Sequence, residues 1–483
     1  MLVKQSLILI ISRILNYGIL IFSPILLVRI LDVESYGLYR EFILFSTLFI
    51  TFFSLSLKFS VVYYISEDKK LIKDVVSQEI YIVLFVSTFL LISILYLGQI
   101  FIDDNIYLFL LAFYVFFSMN ADYYESVNIA LKKPKAILLY TLTYTSIKTC
   151  LLLSLAYSTK SVYTIIIGLI FSEIARVSFV IIYSNVNNWV FSGFNFEFCR
   201  KLLIYSLPLS VATGVFTINT KLGELIINNS LGVEYLAIYT IGIYQVPIIS
   251  IIRNAISDTI FPRIVQESKE GIGNNNGLTL WRNSNIVMLA IISPFAFILY
   301  SYSNEFISFL FTSKYSESVP IFQIFILLMI RQCFEMGVPL RAKNKNRSFV
   351  VGNIISLIVN ITLSLFLIEK IGIIGPAIAF LISDFSLNLF LFFKIKQVYN
   401  CSWGTILHWK DIIKVIFCVS ISVLFYLVLS NCIEELSVVL EISAIFIFLF
   451  VYIILLKLSS LSVIKLFFKG RVKNEGNYHK SIS

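Results

Sequence analysis

Residues Ser6 to Tyr39 read SLILIISRILNYGILIFSPILLVRILDVESYGLY. This is a membrane-length apolar run with Arg13 set inside it and Pro24 further on, closed by the polar turn Asp32 to Tyr36. A second apolar run follows. An arginine near the middle of a bilayer span costs roughly 2.5–3.5 kcal/mol on insertion scales, so Arg13 should face a partner or a wet cavity. The same turn returns 200 positions later. Leu31, Asp32, Val33, Glu34 and Tyr39 correspond to Leu231, Gly232, Val233, Glu234 and Tyr239, again between two apolar runs. The chain therefore reads as two copies of one helical plan.

Composition places those copies in a membrane. Of 483 residues, 58% are hydrophobic and 14% charged, with a mean hydropathy of +0.90. Soluble domains carry about 25% charged residues, so the chain reads as polytopic. Its formal charge of +10 does not point to nucleic acid, because the excess lies in short loops on one side of the expected spans. The six cysteines have no metal or redox spacing, and His408 and His479 lie outside the spans. The sequence therefore calls for no metal and no cofactor beyond a coupling H+ or Na+ gradient. Lys4 and the apolar run after it are expected to form an uncleaved first span rather than a signal peptide, since Arg13 interrupts the run and no small-residue cleavage pattern follows.

Windows of roughly 20 apolar residues give about fourteen spans. Six lie near 7–31, 42–65, 79–98, 106–131, 136–157 and 162–183. Six more lie near 202–228, 233–256, 284–303, 319–340, 348–369 and 373–393, and a final pair near 411–430 and 437–457. The expected class is an all-α polytopic membrane protein with two pseudo-symmetric six-helix bundles, 1–183 and 202–395. A cytoplasmic linker, 184–201, joins them; two extra helices (396–460) and a basic tail (461–483) follow. One set of loops carries Lys69, Lys70, Lys73, Lys132, Lys133, Lys135, Arg341 and Lys343, and the alternate set is nearly bare of base, with Arg40, Lys160, Lys314 and Lys370. Both termini are therefore expected in the cytoplasm, and the repeat axis along the membrane normal. Ser172-Glu173 and Ser383-Asp384 form a second echo between the halves.

In-span charges are the candidate site, because such groups face a bundle interior or water. Arg13, Lys58, Lys148, Lys221 and Arg331 are the candidates for a cationic cavity that takes an anionic head group. Arginine suits a phosphate through its planar fork, and lysine supplies a point charge. Salt bridges to acids on other spans are the competing role for these bases. Three local pairs are expected: Glu173 with Arg176, Lys221 with Glu224, and Arg331 with Glu335. Asp122, Glu125 and Asp384 are the ion-coupling candidates. Asp122 and Glu125, three residues apart on one face, compete between that role and pairing with bases across the bundle.

The chain resembles the polysaccharide branch of the multidrug/oligosaccharidyl-lipid/polysaccharide exporter superfamily, the Wzx-like O-antigen and repeat-unit flippases. Four stretches carry the likeness: LLVRILDVESYGLY; LPLSVATGVFTINTKLGELIINNSLGVEYLAIY; FPRIVQESKEG with ISPFAFILYSYSNEFISFLFTSKY; and LRAKNKNRSFVVGNIISLIVNITLSLFLIEKIGIIGPAIAFLISD. They cover most of residues 1–395 in family order. The resemblance implies a non-enzymatic transporter of the bacterial cytoplasmic membrane. It would turn polyprenyl-pyrophosphate-linked oligosaccharide from the inner to the outer leaflet by alternating access, for O-antigen or capsule assembly. Membrane lipids and the polymerase and chain-length proteins of the same pathway would be its partners.

Drug-exporting relatives often carry an acid in the first span, where this chain has Arg13, and many relatives carry a lone acid in span seven, where it has Lys221, Gly223 and Glu224. A cation-coupled multidrug antiporter is the alternative reading. A polysaccharide polymerase or ligase would need a large folded outer loop, and the longest here, near 304–318, is about fifteen residues.

Overall fold

The computed structural model describes residues 19, 22–100, 104–190, 192–246, 264, 276–343, 345–431 and 438–459. Arg13 lies outside them. Every regular element among the described residues is helical. Eight helices there are long and apolar enough to cross a membrane, or nine when the bent pair Val33–Phe53 and Leu57–Glu67 counts as one span. The protein is an all-α polytopic membrane protein. One of the eight covers residues 347–399 as a single 53-residue run. At 1.5 Å per residue that is about 80 Å, more than two hydrocarbon cores. It turns at Gly372, whose φ of +58° a glycine adopts without strain. The run therefore supplies the two spans expected at 348–369 and 373–393.

In chain order, helix α1 holds residues 22–30. Then come α2 (Val33–Phe53), α3 (Leu57–Glu67), α4 (Ile72–Leu97), α5 (Asn105–Met119) and α6 (Tyr123–Ala130). They are followed by α7 (Pro134–Thr159), α8 (Val162–Val186), α9 (Phe196–Leu231) and α10 (Val233–Gly242). Next are α11 (Asn276–Ser301), α12 (Ser303–Phe311), α13 (Val319–Gln332) and α14 (Gly337–Ala342). The chain continues with α15 (Asn346–Ile371), α16 (Gly375–Tyr399), α17 (Trp403–Ile406), α18 (Trp409–Asn431) and α19 (Val438–Leu458).

Three spans differ from hydropathy windows for local reasons. Helix α2 starts nine residues before the expected 42, because Asp32 accepts from Ser35 N at 2.7 Å and caps it. Arg40, expected in an outer loop, therefore sits inside a helix. The fourth span breaks between α5 and α6. There the Asn120 side chain donates to Phe116 O at 2.7 Å and to Ser87 Oγ at 3.1 Å, competing with the backbone ladder. Helix α9 is 36 residues long and begins at Phe196, capped by Asn195 accepting from Phe198 N; with α8 running on to Val186, helix occupies both ends of the expected linker.

The chain divides into two compact units. The first holds residues 1–247, 304–322 and 353–384, the second 248–303, 323–352 and 385–483. In the first, α2 packs on α10, α9 and α5, α3 on α6, α4 on α5, and α7 on α8. Its core is apolar where these helices cross, as at Leu27, Phe42, Val61, Leu111, Ile165 and Leu236. In the second, α11 packs on α18 and α19. Tyr452 OH donates to Ala290 O at 2.7 Å, and Trp281 Nε1 donates to Glu335 O at 3.0 Å. Outside the spans, Asp104 caps α5 and accepts from Tyr163 OH and the Tyr107 and Ile106 amides, which hold its carboxyl below the ordinary carboxylate range.

Candidate functional site

Two carboxylates in the first unit organise the charges. Glu173, on α8, has a side chain only 1% exposed. Lys148 of α7 reaches its Oε1 at 2.9 Å, and Arg176, one turn further along α8, reaches its Oε2 at 2.8 Å. Tyr144 OH also donates to Glu173 Oε1. Lys148 donates to the hydroxyls of Tyr114 and Tyr144 at 3.0 Å each. Arg176 continues to Asp122 Oδ1 at 3.3 Å, and Asp122 sits at the α5–α6 break with 44% of its side chain exposed. The break brings this acid within reach of Arg176. Two cations thus meet two anions, so the network is neutral, and Lys148 and Tyr144 hydrogen-bond Glu173 Oε1 while its Oε2 meets Arg176 as an ion contact.

Glu224, on α9, centres the second group. Lys221 reaches its Oε1 at 2.6 Å and Arg40 its Oε2 at 3.9 Å. Next to it, Asn228 Nδ2 donates to Glu41 Oε1 at 2.7 Å. These contacts tie α2 to α9 beneath the two repeat turns. At the turns themselves α2 meets α10: a Cβ added to Gly37 would fall 2.1 Å from Val233 O. Tyr36 and Tyr315 stand edge-to-face at 6.1 Å, and Tyr244 and Phe311 at 5.1 Å. Arg29 donates to Phe309 O, at the C-terminal end of α12, where a cation is favoured.

The sequence candidates therefore take different places. Lys148 and Lys221 are cations already held by carboxylates, the first across helices and the second on its own. The local pairs Glu173–Arg176 and Lys221–Glu224 are present, and Glu335 binds Arg341 at 2.7 Å. Lys58 is exposed on α3 with its ammonium 5.5 Å from the Phe59 ring centroid. Asp122 pairs with Arg176, while Glu125 is exposed on α6. Arg331 is half-buried on α13 in the second unit, and Asp384 half-buried on α16 in the first.

The family model described as "Polysaccharide biosynthesis protein" matches residues 26–320, more than half of the chain. The chain belongs to this polysaccharide biosynthesis family. No curated protein sequence matches it. Among solved structures it is similar to the "Lipid II flippase MurJ, inward closed conformation". That match has a TM-score of 0.69 and 17% identity, over 96% of this chain and 100% of that one. It is also similar to an inward-facing multidrug resistance MATE family transporter of the MOP superfamily, at TM-score 0.61 and 11% identity over 80% and 94%. A third is a MOP superfamily transporter from Pyrococcus furiosus described as having reversed binding-pocket polarity, at TM-score 0.55 and 10% identity over 82% and 95%. At these identities the matches establish a MurJ- and MATE-like fold.

On this fold the family member carries features that sequence reasoning missed. Asn219 of α9 donates to Ser356 Oγ at 3.2 Å, and Asn360 donates back to Asn219 Oδ1 at 2.9 Å. Ser356 in turn donates to Ser383 O at 3.0 Å. Such buried amide and hydroxyl chains fix helices against each other. Ser383 and Ser172, paired by the repeat, both donate to the carbonyl three residues back. Glu41 and Glu79 also escaped notice, and Arg40 was expected in a loop, all three being at span edges where windows blur. In the second unit a cavity of about 320 Å³ is lined by Leu289, Phe297, Tyr300, Leu327, Ile416 and Val419. No cluster of three or more metal-ligating side chains occurs among the described residues. The first unit thus holds its in-span charges in ion networks, and the second holds an apolar cavity beside α18.

Proposed function

We propose that this chain is a flippase for polyprenyl-pyrophosphate-linked oligosaccharide in the cytoplasmic membrane, working by alternating access to supply O-antigen or capsule assembly. The observation that carries the reading is the polysaccharide biosynthesis family match, taken on a fold that covers the whole length of a lipid flippase. Arg13 and Lys58 are the candidates to bind the pyrophosphate, Lys148 and Lys221 join them where Glu173 and Glu224 exchange partners, and Arg331 is a further candidate cation. The apolar cavity beside α18 has the chemistry of a prenyl-chain seat. Asp122, Glu125 and Asp384 remain the candidates for coupling to H+ or Na+. The polymerase and chain-length proteins of the pathway receive the product. MATE-like fold matches favour a cation-coupled drug antiporter as the second reading, and Arg13 in place of a first-span acid opposes it.

The test is reconstitution. Purified protein in vesicles should expose a fluorescent polyprenyl-pyrophosphate oligosaccharide to an outside lectin at least ten times faster than protein-free vesicles. Arg13→Ala should remove that gain at normal protein yield, and Arg13→Lys should keep part of it. Drug efflux without lipid exposure would replace this reading by the antiporter.

Orientation is tested separately. Lys133 and Lys160 flank the two ends of α7. In a background without native cysteines, Lys160→Cys should react with an impermeant thiol reagent from outside and Lys133→Cys should not. The reverse pattern would overturn cytoplasmic termini.

A further inference from the structure

Glu79 lies on α4, two turns after the helix begins. It is 3% exposed, and its Oε2 has no hydrogen-bond partner. No cation among the described residues stands within ion-pair distance of it. An ionised carboxylate without partners in an apolar interior is far costlier than the neutral acid, which needs only one acceptor. The groups around it come from several helices. Asp122, at the α5–α6 break, is the charged group that acts on Glu79, and it repels a second negative charge. Tyr123 of α6 shares its hydroxyl with Ser184 Oγ at 3.2 Å. On α2, Arg40 and Glu41 turn to Glu224 and Asn228, and Lys58 of α3 acts on Asp122. Cys199 of α9 donates to Gln78 instead.

The residues beside Glu79 hold the joint between the two sequence repeats. Ser77 Oγ accepts from Ser192 N at 2.9 Å. Gln78 Nε2 donates to Gly193 O at 2.8 Å, and its Oε1 accepts from Asn195 N at 2.9 Å. Tyr81 OH donates to Ser192 O at 3.0 Å. Asn195 is itself the cap of α9. One side of α4 therefore grips the segment leading into the second repeat, while the adjacent side buries a bare carboxyl.

We propose that Glu79 is a proton-binding site whose occupancy is linked to the grip of α4 on residues 192–195. The carboxyl carries its proton in the arrangement seen here. When the grip loosens and water enters, the O–H bond breaks, the proton passes to water past the part-exposed Asp122, and the hydrated carboxylate remains. A proton bound in one arrangement and not the other shifts the equilibrium between them, as any differential ligand does. This deepens the flippase reading by naming where a proton gradient acts, and it rests on that reading only for what the motion transports.

Two measurements test it without transport. Infrared spectra of the purified chain in lipid nanodiscs at neutral pH should contain a protonated-carboxyl band that disappears in Glu79→Gln and moves in Glu79→Asp. Spectra unchanged by both substitutions would overturn the proton site. For the linkage, a spin label at Gly193→Cys, where an added Cβ meets nothing within 4 Å, is paired with one at Lys73→Cys in a cysteine-free background. Their distance distribution should change with pH in the Glu79 protein and lose that change in Glu79→Gln. The same pH response in both would overturn the linkage. An intact band and pH response with no lipid exposure in vesicles would overturn the flippase reading and leave the proton site standing.

Discussion

Glu173→Gln is expected to be among the most damaging single changes in the first unit, costing roughly 3–5 kcal/mol of stability, the usual result of removing one partner from a buried ion pair. The glutamine fits the same space but carries no charge, so Lys148 and Arg176 lose the anion they share at 2.9 and 2.8 Å. Lys148 keeps two tyrosine hydroxyls, which neutralise nothing. Arg176 keeps Asp122. The cost therefore comes chiefly from Lys148, whose side chain is 25% exposed. This makes the double variant informative. Lys148→Met with Glu173→Met removes both charges, and replacing a whole buried pair by apolar groups is often close to neutral. It should recover at least half of the loss. Thermal unfolding in nanodiscs of the wild type, Lys148→Met, Glu173→Met and the double variant supplies the cycle, with Glu173→Gln measured beside them. A Glu173→Gln midpoint equal to that of the wild type would show that the network carries no stability.

What could be read from the sequence here, and what could not, follows from the range of each interaction. The class was plain because apolar content and loop charge are properties of whole segments. The repeat was legible at Leu31–Tyr39 and Leu231–Tyr239, yet the two copies start their helices differently. Asp32 caps α2 with its carboxylate, whereas Gly232 turns at φ +92° with no side chain to offer. Local pairs such as Lys221–Glu224 were legible because helical geometry fixes neighbours three residues apart. Lys148 was not: its partner is 25 residues away on another helix, and only packing brings the two together. Arg40 was misplaced because hydropathy windows do not register an N-cap. Glu79 was passed over at the polar edge of a window, although its burial depends on α6 and the α5–α6 break rather than on its own neighbours in sequence.

Gly37→Val should separate α2 from α10 and stop transport. Val233 O and its carbonyl carbon would lie 2.1 and 2.6 Å from a new Cβ, and both are backbone atoms that no rotamer change can move aside. Overpacking a well-filled contact costs about 1–3 kcal/mol, and a β-branched side chain on a helix has little rotamer freedom to escape it. The corresponding position in the second copy is Ala237, fully buried, so one carbon is accommodated there and none at Gly37. In the proposed orientation these turns lie at the outer end, and the proposed alternating access has α2 and α10 meet in an outer-closed arrangement and part in the other. Strain confined to the closed arrangement then favours any arrangement in which the helices stand apart. Each 1.4 kcal/mol of such strain moves the population about tenfold, so the outer-closed form becomes a minority. Spin labels at Glu34 and Glu234, exposed and equivalent in the repeat, report the change. Their separation should increase in Gly37→Val, and lectin-detected exposure of the lipid-linked oligosaccharide should fall at least tenfold at similar protein yield. Gly37→Ala should lie between the two. If the valine variant folds, keeps the wild-type label distance and transports normally, the contact between the repeat turns is packing alone and closes no path.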